Sequence, residues 1–191
     1  MKSNLLGVLK ALIVLMIYKW GWPAHATIVE VVYNSLPADI QKNLFLEKMK
    51  DGSNDPDEQF KDTATHHYPA SYKRANKWLK NGKKYYKQKK YDDASYAFGV
   101  AAHYISDTFS APHCVSKESG KDHHNYEIVA DKFTPKVTYL DGDLDTIMKK
   151  GIEQGKADWN KWKKTKEREI IQAGVDRGAS AAYTAIRNTL S

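Results

Sequence analysis

The feature that most constrains the fold of this chain is a set of imidazole and carboxylate side chains in the middle of the sequence. His103 and Asp107 are four residues apart, a spacing that places two side chains on one face of a helix. His123 and Glu127 repeat this spacing, and His113 lies between the two pairs. Two such pairs with a linking histidine predict helices that converge on a metal site.

The chemistry of these side chains indicates which metal the site would hold. All seven histidines lie between His25 and His124, whereas scattered surface histidines would be spread along the chain. Imidazole together with carboxylate suits Zn²⁺, while Ca²⁺ and Mg²⁺ prefer oxygen ligands alone. The single cysteine, Cys114, excludes an internal disulfide and is expected to be a small packed residue.

Composition bounds the size of the domain and its partners. A chain of 191 residues that is 41% hydrophobic and 28% charged can bury one substantial core, and we expect a single domain over residues 20–191. The formal net charge of +7 favours anionic surfaces, lipid or nucleic acid, without choosing between them. We expect a monomer with no obligate protein partner.

The first 19 residues form a separate segment. They contain three lysines and no acidic residue around the apolar run Ala11–Tyr18. This run is shorter than the roughly 20 apolar residues that span a membrane, so it favours a secretory signal peptide. The residues before Trp20 lack the small-residue pattern of a cleavage site, which leaves an uncleaved anchor as the alternative. We therefore expect a secreted or extracytoplasmic protein, with membrane anchoring by this segment as the other possibility.

Helical periodicity runs through the rest of the chain, and no stretch alternates long enough to predict a strand. The predicted fold is therefore all-α, a compact domain of about six to eight helices. The acid-rich DGSNDPDEQFKDTAT stretch is predicted to be a loop, because it is rich in turn-forming residues. The predicted segments are helices from Pro23 to Leu36, Ala38 to Lys50, Ser71 to Leu79 with a break near Asn81–Gly82, a helix capped by Asp92 or Asp93 that carries His103, helices Asp143–Thr165 and Lys166–Leu190, and a loop over Asp51–Thr65.

The stretch KKYYKQKKYDD combines lysines with tyrosines. Basic and aromatic residues together can follow a nucleic-acid backbone or lie against lipid headgroups. A solvated helix face explains the same composition without any ligand.

Several short motifs resemble those of the zinc-dependent phospholipase C family, and more distantly the single-strand-specific nucleases that share its fold. The motifs are WGWPAHATI, GSNDPD, HHY, HYISDTFSAPH and HHNYE, which together run from Trp20 to Glu127. The resemblance implies an all-helical domain around three zinc ions, with Asp55 and His67 as substitutes for two ligands and His124 outside the ligand set. The implied metal ligands are Trp20, through its free amine and carbonyl, His25, Asp57, His66, His103, Asp107, His113, His123 and Glu127.

The resemblance also implies a reaction. We expect a phospholipase C that hydrolyses glycerophospholipids to diacylglycerol and a phosphorylated headgroup by metal-activated water, with Asp57 orienting or deprotonating that water. Glu127 and the Pro-Asp motif favour a phospholipid or membrane surface as substrate, whereas the Trp20 start and the basic stretch favour single-stranded nucleic acid. A metal-stabilised helical protein without turnover is the third alternative.

Overall fold

A computed structural model describes residues 22–62, 64–116 and 119–191. This part of the chain is built from helices and contains no strand, which confirms the all-α prediction. The predicted leader and Trp20 lie outside the described residues. The helices are α1 (Trp22–Ser35), α2 (Ala38–Gln41), α3 (Leu46–Glu58), α4 (Ala70–Lys87), α5 (Tyr91–Asp107), a 3-10 helix (Ala111–Cys114), α6 (Gly120–Ala130), α7 (Leu144–Thr165) and α8 (Arg168–Leu190).

Helix α5 is the centre of the domain. From Ala94 to Asp107 every residue except Tyr96 is buried, as expected for a helix that is covered on all sides. Helices α1, α3, α4 and α8 pack around it. The imidazole and carboxylate side chains near its end are therefore held inside the protein rather than at its surface.

The predicted loop at Asp51–Thr65 is wrong in its first half, because α3 continues to Glu58. The turn-forming residues that suggested a loop, Gly52, Ser53 and Pro56, are buried on the inner side of this helix. They are small residues at a helix contact, and local composition cannot distinguish that role from a turn. Asp57 consequently lies on the last turn of α3.

The contact between α3 and α5 brings the two backbones together. A Cβ atom at Gly52 would lie 2.1 Å from the carbonyl oxygen of Tyr96, and one at Gly99 would lie 2.0 Å from the carbonyl oxygen of Met49. Only glycine fits at both positions, and the two helices meet one turn before His103.

Three further helix predictions also differ in their bounds. The predicted helix Ala38–Lys50 is divided in two, because α2 ends at Gln41 and α3 begins at Leu46. Helix α4 continues through the predicted break near Gly82 to Lys87. Gly82 serves packing rather than a turn, because a Cβ atom there would lie 2.5 Å from the ring of Phe98. Helix α5 begins at Tyr91, so Asp92 and Asp93 lie in its first turn instead of capping it. Their carboxylates there still complement the partial positive charge of the helix start.

A second core holds α6 against α7 and α8. Tyr126 packs its ring against Trp162 and Trp159, with ring centroids 5.2 and 5.9 Å away. Asp143 caps α7 by accepting a hydrogen bond from the backbone N–H of Thr146 at 3.0 Å. No helix in the described ranges is both long and apolar enough to cross a membrane.

Candidate metal centre

Asp107 is the centre of the candidate site. This residue is 5% exposed at the end of α5, and its carboxylate contacts three imidazoles from different parts of the chain. Nε2 of His25 is 3.2 Å from Oδ1, and Nε2 of His103 is 3.4 Å from Oδ2. Nδ1 of His66 is hydrogen-bonded to the same Oδ2 atom. Because its two oxygens face different imidazoles, Asp107 can bridge two metal ions.

Asp57 closes this group from the side of α3. Its Oδ1 atom is 3.6 Å from Nε2 of His66 and 3.8 Å from Nε2 of His103, and its side chain is 32% exposed. The other ring nitrogen of His103, Nδ1, donates to the carbonyl oxygen of Ser53 at 2.8 Å, a distance and partner typical of an oriented metal ligand. The ring is thereby held with Nε2 directed at the carboxylates.

A second group lies between the 3-10 helix and α6. Oε1 of Glu127 is 2.7 Å from Nε2 of His123 and 3.6 Å from Nε2 of His113. The rings of His113 and His66 are 6.0 Å apart and nearly parallel, so this group adjoins the one around Asp107. The i, i+4 spacing on α6 brings His123 and Glu127 together as the sequence predicts.

Three sets of possible ligand atoms each lie within 4.8 Å of one another in the described part of the chain. His103 belongs to two of them. The sets are His25, Asp57 and His103; His66, His103 and Asp107; and His113, His123 and Glu127.

These side chains fit zinc. Nε2 of His66 and Nδ1 of His113 are buried, and neither has a hydrogen-bond partner among the described residues. A buried polar atom without a partner is unfavourable, and for His66 the bare nitrogen faces the Asp57 carboxylate across 3.6 Å. Imidazole nitrogen with carboxylate oxygen is a ligand combination typical of zinc. The residues around Asp107 and Glu127 would hold the metal.

The surroundings shift the pKa values of the imidazoles in different directions. Burial acts to lower the pKa of His25, but the Asp107 carboxylate outweighs it and raises the pKa. Burial also acts to lower the pKa of His66, but the hydrogen bond to Asp107 outweighs it and raises the pKa to about 9. Burial, reinforced by the neighbouring His25, lowers the pKa of His103 well below its usual value. A lowered pKa favours the neutral imidazole, the form in which a histidine binds metal.

The carboxylates are also shifted. Burial alone would raise the pKa of Asp107, but electrostatic interaction with the surrounding imidazoles, His103 first and then His25, holds it well below its usual range. At Glu127, burial acts to raise the pKa, but hydrogen bonds from His113 and His123 outweigh it and lower the pKa to about 2. Asp57 differs, because burial and the charge of Asp107 both raise its pKa. Asp57 is therefore the carboxylate of this site that most readily accepts a proton.

The structure brings together every predicted ligand that it describes. The alternatives make other contacts: the Asp55 carboxylate accepts a hydrogen bond from the Tyr96 hydroxyl at 2.6 Å, and His67 is exposed, with Nδ1 2.7 Å from the carbonyl oxygen of His113. His124 belongs to none of the three sets formed by the described residues. Trp20 is outside those residues, so its predicted role stays a prediction, as do the ligand roles of the others.

Two residues that position His25 and its helix are not among the ligands that the sequence predicts. Ser106 Oγ is 3.1 Å from Nδ1 of His25 and donates to the carbonyl oxygen of His103 at 3.0 Å, which holds the His25 ring. Asp131 accepts a hydrogen bond from the backbone N–H of Ala24 at 3.2 Å and so fixes the start of α1. Neither residue belongs to a spacing motif, and only their spatial neighbours identify them.

A cleft of about 810 Å³ opens beside the second group. It is lined by His67, Tyr68, His113, Lys156 and Asn160, among others. His113 therefore faces both Glu127 and a space that is large enough for a phosphorylated headgroup.

Most of the chain matches a known protein family. A family model described as zinc dependent phospholipase C matches residues 24–180, which include every described candidate ligand. No curated protein and no solved structure matches the chain.

Proposed function

Because this chain belongs to the zinc-dependent phospholipase C family, we propose that it hydrolyses the phosphodiester of glycerophospholipids to diacylglycerol and a phosphorylated headgroup. The observation that carries the proposal is the Asp107 carboxylate, which joins three imidazoles next to a second His-Glu group and an open cleft. We further propose that these groups hold three zinc ions, with Trp20 completing the set at His25.

Bound zinc would supply Lewis-acid activation of water and neutralisation of phosphoryl oxygens. The side chains that the structure describes have separate tasks. Asp57 is partly exposed and has a raised pKa, so it can orient the attacking water and accept its proton. Tyr68, His113 and Lys156 line the cleft where the headgroup would lie.

Replacing Asp57 tests this assignment. Asp57→Asn should lower the hydrolysis rate on phosphatidylcholine vesicles by about 10²- to 10⁴-fold, because the amide cannot accept a proton. Asp55→Asn is the matched control, since it makes the same change two residues away on α3 and can still accept the Tyr96 hydrogen bond. Equal loss in both variants would contradict the role of Asp57.

The zinc-loaded, processed protein should also be assayed on single-stranded DNA. A nuclease is the second candidate, favoured by the lysine-rich α4. Cleavage of DNA without cleavage of phosphatidylcholine would overturn the lipid proposal, and cleavage of neither would favour a metal-stabilised protein without turnover.

We propose that residues 1–19 direct export, so that the protein acts outside the cytoplasm. Removal of these residues would give Trp20 the free amine that its ligand role requires. N-terminal sequencing of the natural protein tests this, because a chain that still begins before Trp20 would contradict it and would favour membrane anchoring by the leader.

A further inference from the structure

The positive charge of the protein is concentrated in one segment. Residues 70–90 contain nine lysine and arginine residues and no acidic residue. The rest of the chain has 21 basic and 23 acidic residues, so it carries no positive excess of its own. An anionic partner that the net positive charge attracts is therefore attracted to α4 and the turn that follows it.

Four of these lysines form one face of α4. Lys80, Lys83, Lys84 and Lys87 follow the i, i+3, i+4, i+7 spacing and line a shallow groove together. Like charges at this spacing destabilise a helix. None of the four has a carboxylate partner within the described ranges. We call these four residues the basic face.

The helix end explains only part of this arrangement. Lys84 and Lys87 lie in the last turn of α4, where positive charge complements the helix dipole. Lys80 and Lys83 are too far from the end to benefit, because that effect is confined to the last turn. The helix dipole therefore accounts for two of the four charges of the basic face, and all four are available to a ligand outside the chain.

The basic face continues towards the candidate metal centre. Tyr72 and Asn76 line a second groove together with Lys80 and Lys83, along the same side of α4. The ring of Tyr72 is 6.4 Å from that of Tyr68, which lines the cleft at His113. A flat anionic surface against α4 would thus also approach the mouth of the cleft.

We propose that the basic face binds anionic headgroups at a bilayer surface and thereby brings the cleft to its lipid substrate. The inference rests on the proposed lipid substrate. Lysine ammonium groups are point charges that suit a diffuse layer of anionic headgroups. Eight of the nine basic residues in the segment are lysines, and Arg74 is the only arginine.

The two tyrosines between Lys84 and Lys87 favour lipid over a single nucleic-acid strand. Strand binding without sequence preference uses exposed aromatic rings on which bases stack. Tyr85 and Tyr86 instead pack against the core. The Tyr86 ring also contacts Tyr91 at 5.4 Å, and its hydroxyl accepts a hydrogen bond from Asn43 at 3.0 Å. These rings face the protein and leave the lysines as the outer surface.

The test is co-sedimentation of the zinc-loaded protein with vesicles of phosphatidylcholine alone or of equal parts phosphatidylcholine and phosphatidylserine. We expect tighter binding to the mixed vesicles, weakening with salt. Replacement of all four lysines of the basic face by glutamine should reduce that affinity about a thousandfold, because each lysine near an anionic surface strengthens binding about fivefold. Binding to phosphatidylcholine alone should change little.

A matched control removes the same charge elsewhere. Lys132, Lys136, Lys150 and Lys164 are exposed and have no ion pair with a described residue. Their fourfold replacement by glutamine should leave binding to mixed vesicles within a few-fold of wild type. Equal losses in the two fourfold variants would overturn the basic face as a docking surface, since net charge alone would then explain binding.

Hydrolysis of a soluble short-chain phosphatidylcholine separates this inference from the proposed function. The basic-face variant should hydrolyse the soluble substrate at the wild-type rate. Wild-type hydrolysis with no preference for mixed vesicles would overturn the docking inference alone, whereas no hydrolysis of any lipid would overturn the proposed function. Binding of single-stranded DNA that depends on the basic face, without vesicle binding, would overturn the inference in favour of nucleic acid.

Discussion

At the scale of single residues, Asp107 joins the largest number of functional groups. It is almost fully buried, and its two oxygens face imidazoles from α1, from α5 and from the segment before α4. A buried carboxylate with such neighbours keeps its charge without metal because the imidazoles compensate it. Metal ions would take over that compensation, and the affinity for metal should depend on this residue more than on any other described ligand.

Asp107→Asn should therefore release more than one zinc ion per chain, because the amide cannot bridge two cations. His124→Ala serves as the control, since His124 lies outside the three candidate sets, and it should keep the wild-type zinc content. Mass spectrometry of the purified proteins gives the metal content directly. Equal zinc loss in both variants would mean that the ligands on α6 are wrongly assigned.

Asp62 is a stabilising carboxylate that belongs to none of the three candidate sets. It accepts hydrogen bonds from the Tyr104 hydroxyl at 2.8 Å, from the backbone N–H groups of Ala64 and Thr65, and from the Thr65 hydroxyl. Burial acts to raise its pKa, but the hydrogen bonds of Thr65 and Tyr104 lower it to about 2.

Loss of the charge at Asp62 should destabilise the fold in a pH-dependent way. Asp62→Asn should lower the free energy of unfolding by about 1–2 kcal/mol at neutral pH. The folded-state pKa is below the unfolded value of about 3.9, so the contribution is complete above about pH 4 and is lost as pH falls through 2. Urea unfolding of the zinc-free wild type and variant across this range measures the difference. A difference that stays constant down to pH 2 would contradict the assignment.

At the scale of helices, the fold depends on how closely α3 and α5 approach. Their contact uses glycine on both sides, Gly52 against Tyr96 and Gly99 against Met49. The approach places the carbonyl oxygen of Ser53 within hydrogen-bonding distance of His103. The distance between two backbones therefore sets the orientation of a candidate ligand.

Gly99→Ala should separate these helices. The new methyl group would lie 2.0 Å from a backbone oxygen that cannot rotate away, and we expect a loss of about 3 kcal/mol in unfolding free energy together with weaker zinc binding. Gly120→Ala is the control, because a Cβ atom at that position would meet no neighbouring atom of the described residues within 4 Å. That variant should be neutral or more stable by up to about 1 kcal/mol. Similar stability of the two proteins in chemical denaturation would contradict the close contact.

At the scale of the whole molecule, the candidate ligands connect most of the domain. They come from α1, α3, the segment before α4, α5, the 3-10 helix and α6. Only α2, α4, α7 and α8 among the described helices contribute none. A metal that binds these residues binds the folded chain and not the unfolded one, so it stabilises the domain as a unit.

Zinc should accordingly raise the melting temperature by roughly 10 °C. A ligand at a thousand times its Kd adds about 4 kcal/mol, and about 1 kcal/mol corresponds to 2–4 °C in a domain of this size. Calorimetry with zinc, with chelator and with magnesium checks this. Magnesium should have little effect, because imidazole-rich sites bind it poorly. A melting temperature that zinc leaves unchanged would contradict the metal centre.

The sequence by itself determined the helical class and the two His-acid pairs on α5 and α6. Both follow from spacing along one helix, where residues four apart lie on the same face whatever surrounds them. Spacing along a helix could not choose between adjacent residues of the same type as ligands. His66 and His67 are adjacent in sequence, as are the acids around Pro56, and only their resemblance to family motifs ranked them beforehand.

Only the tertiary structure decided which of those neighbouring residues faces the candidate metal centre. It directs Asp57 to the imidazoles and Asp55 to Tyr96, because the helical turn of α3 points the two side chains in different directions. The same structure makes Gly52 part of a helix where its neighbours predicted a loop. Whether a glycine ends a helix or lets another backbone approach depends on what packs against it, and that partner lies more than forty residues away in the sequence.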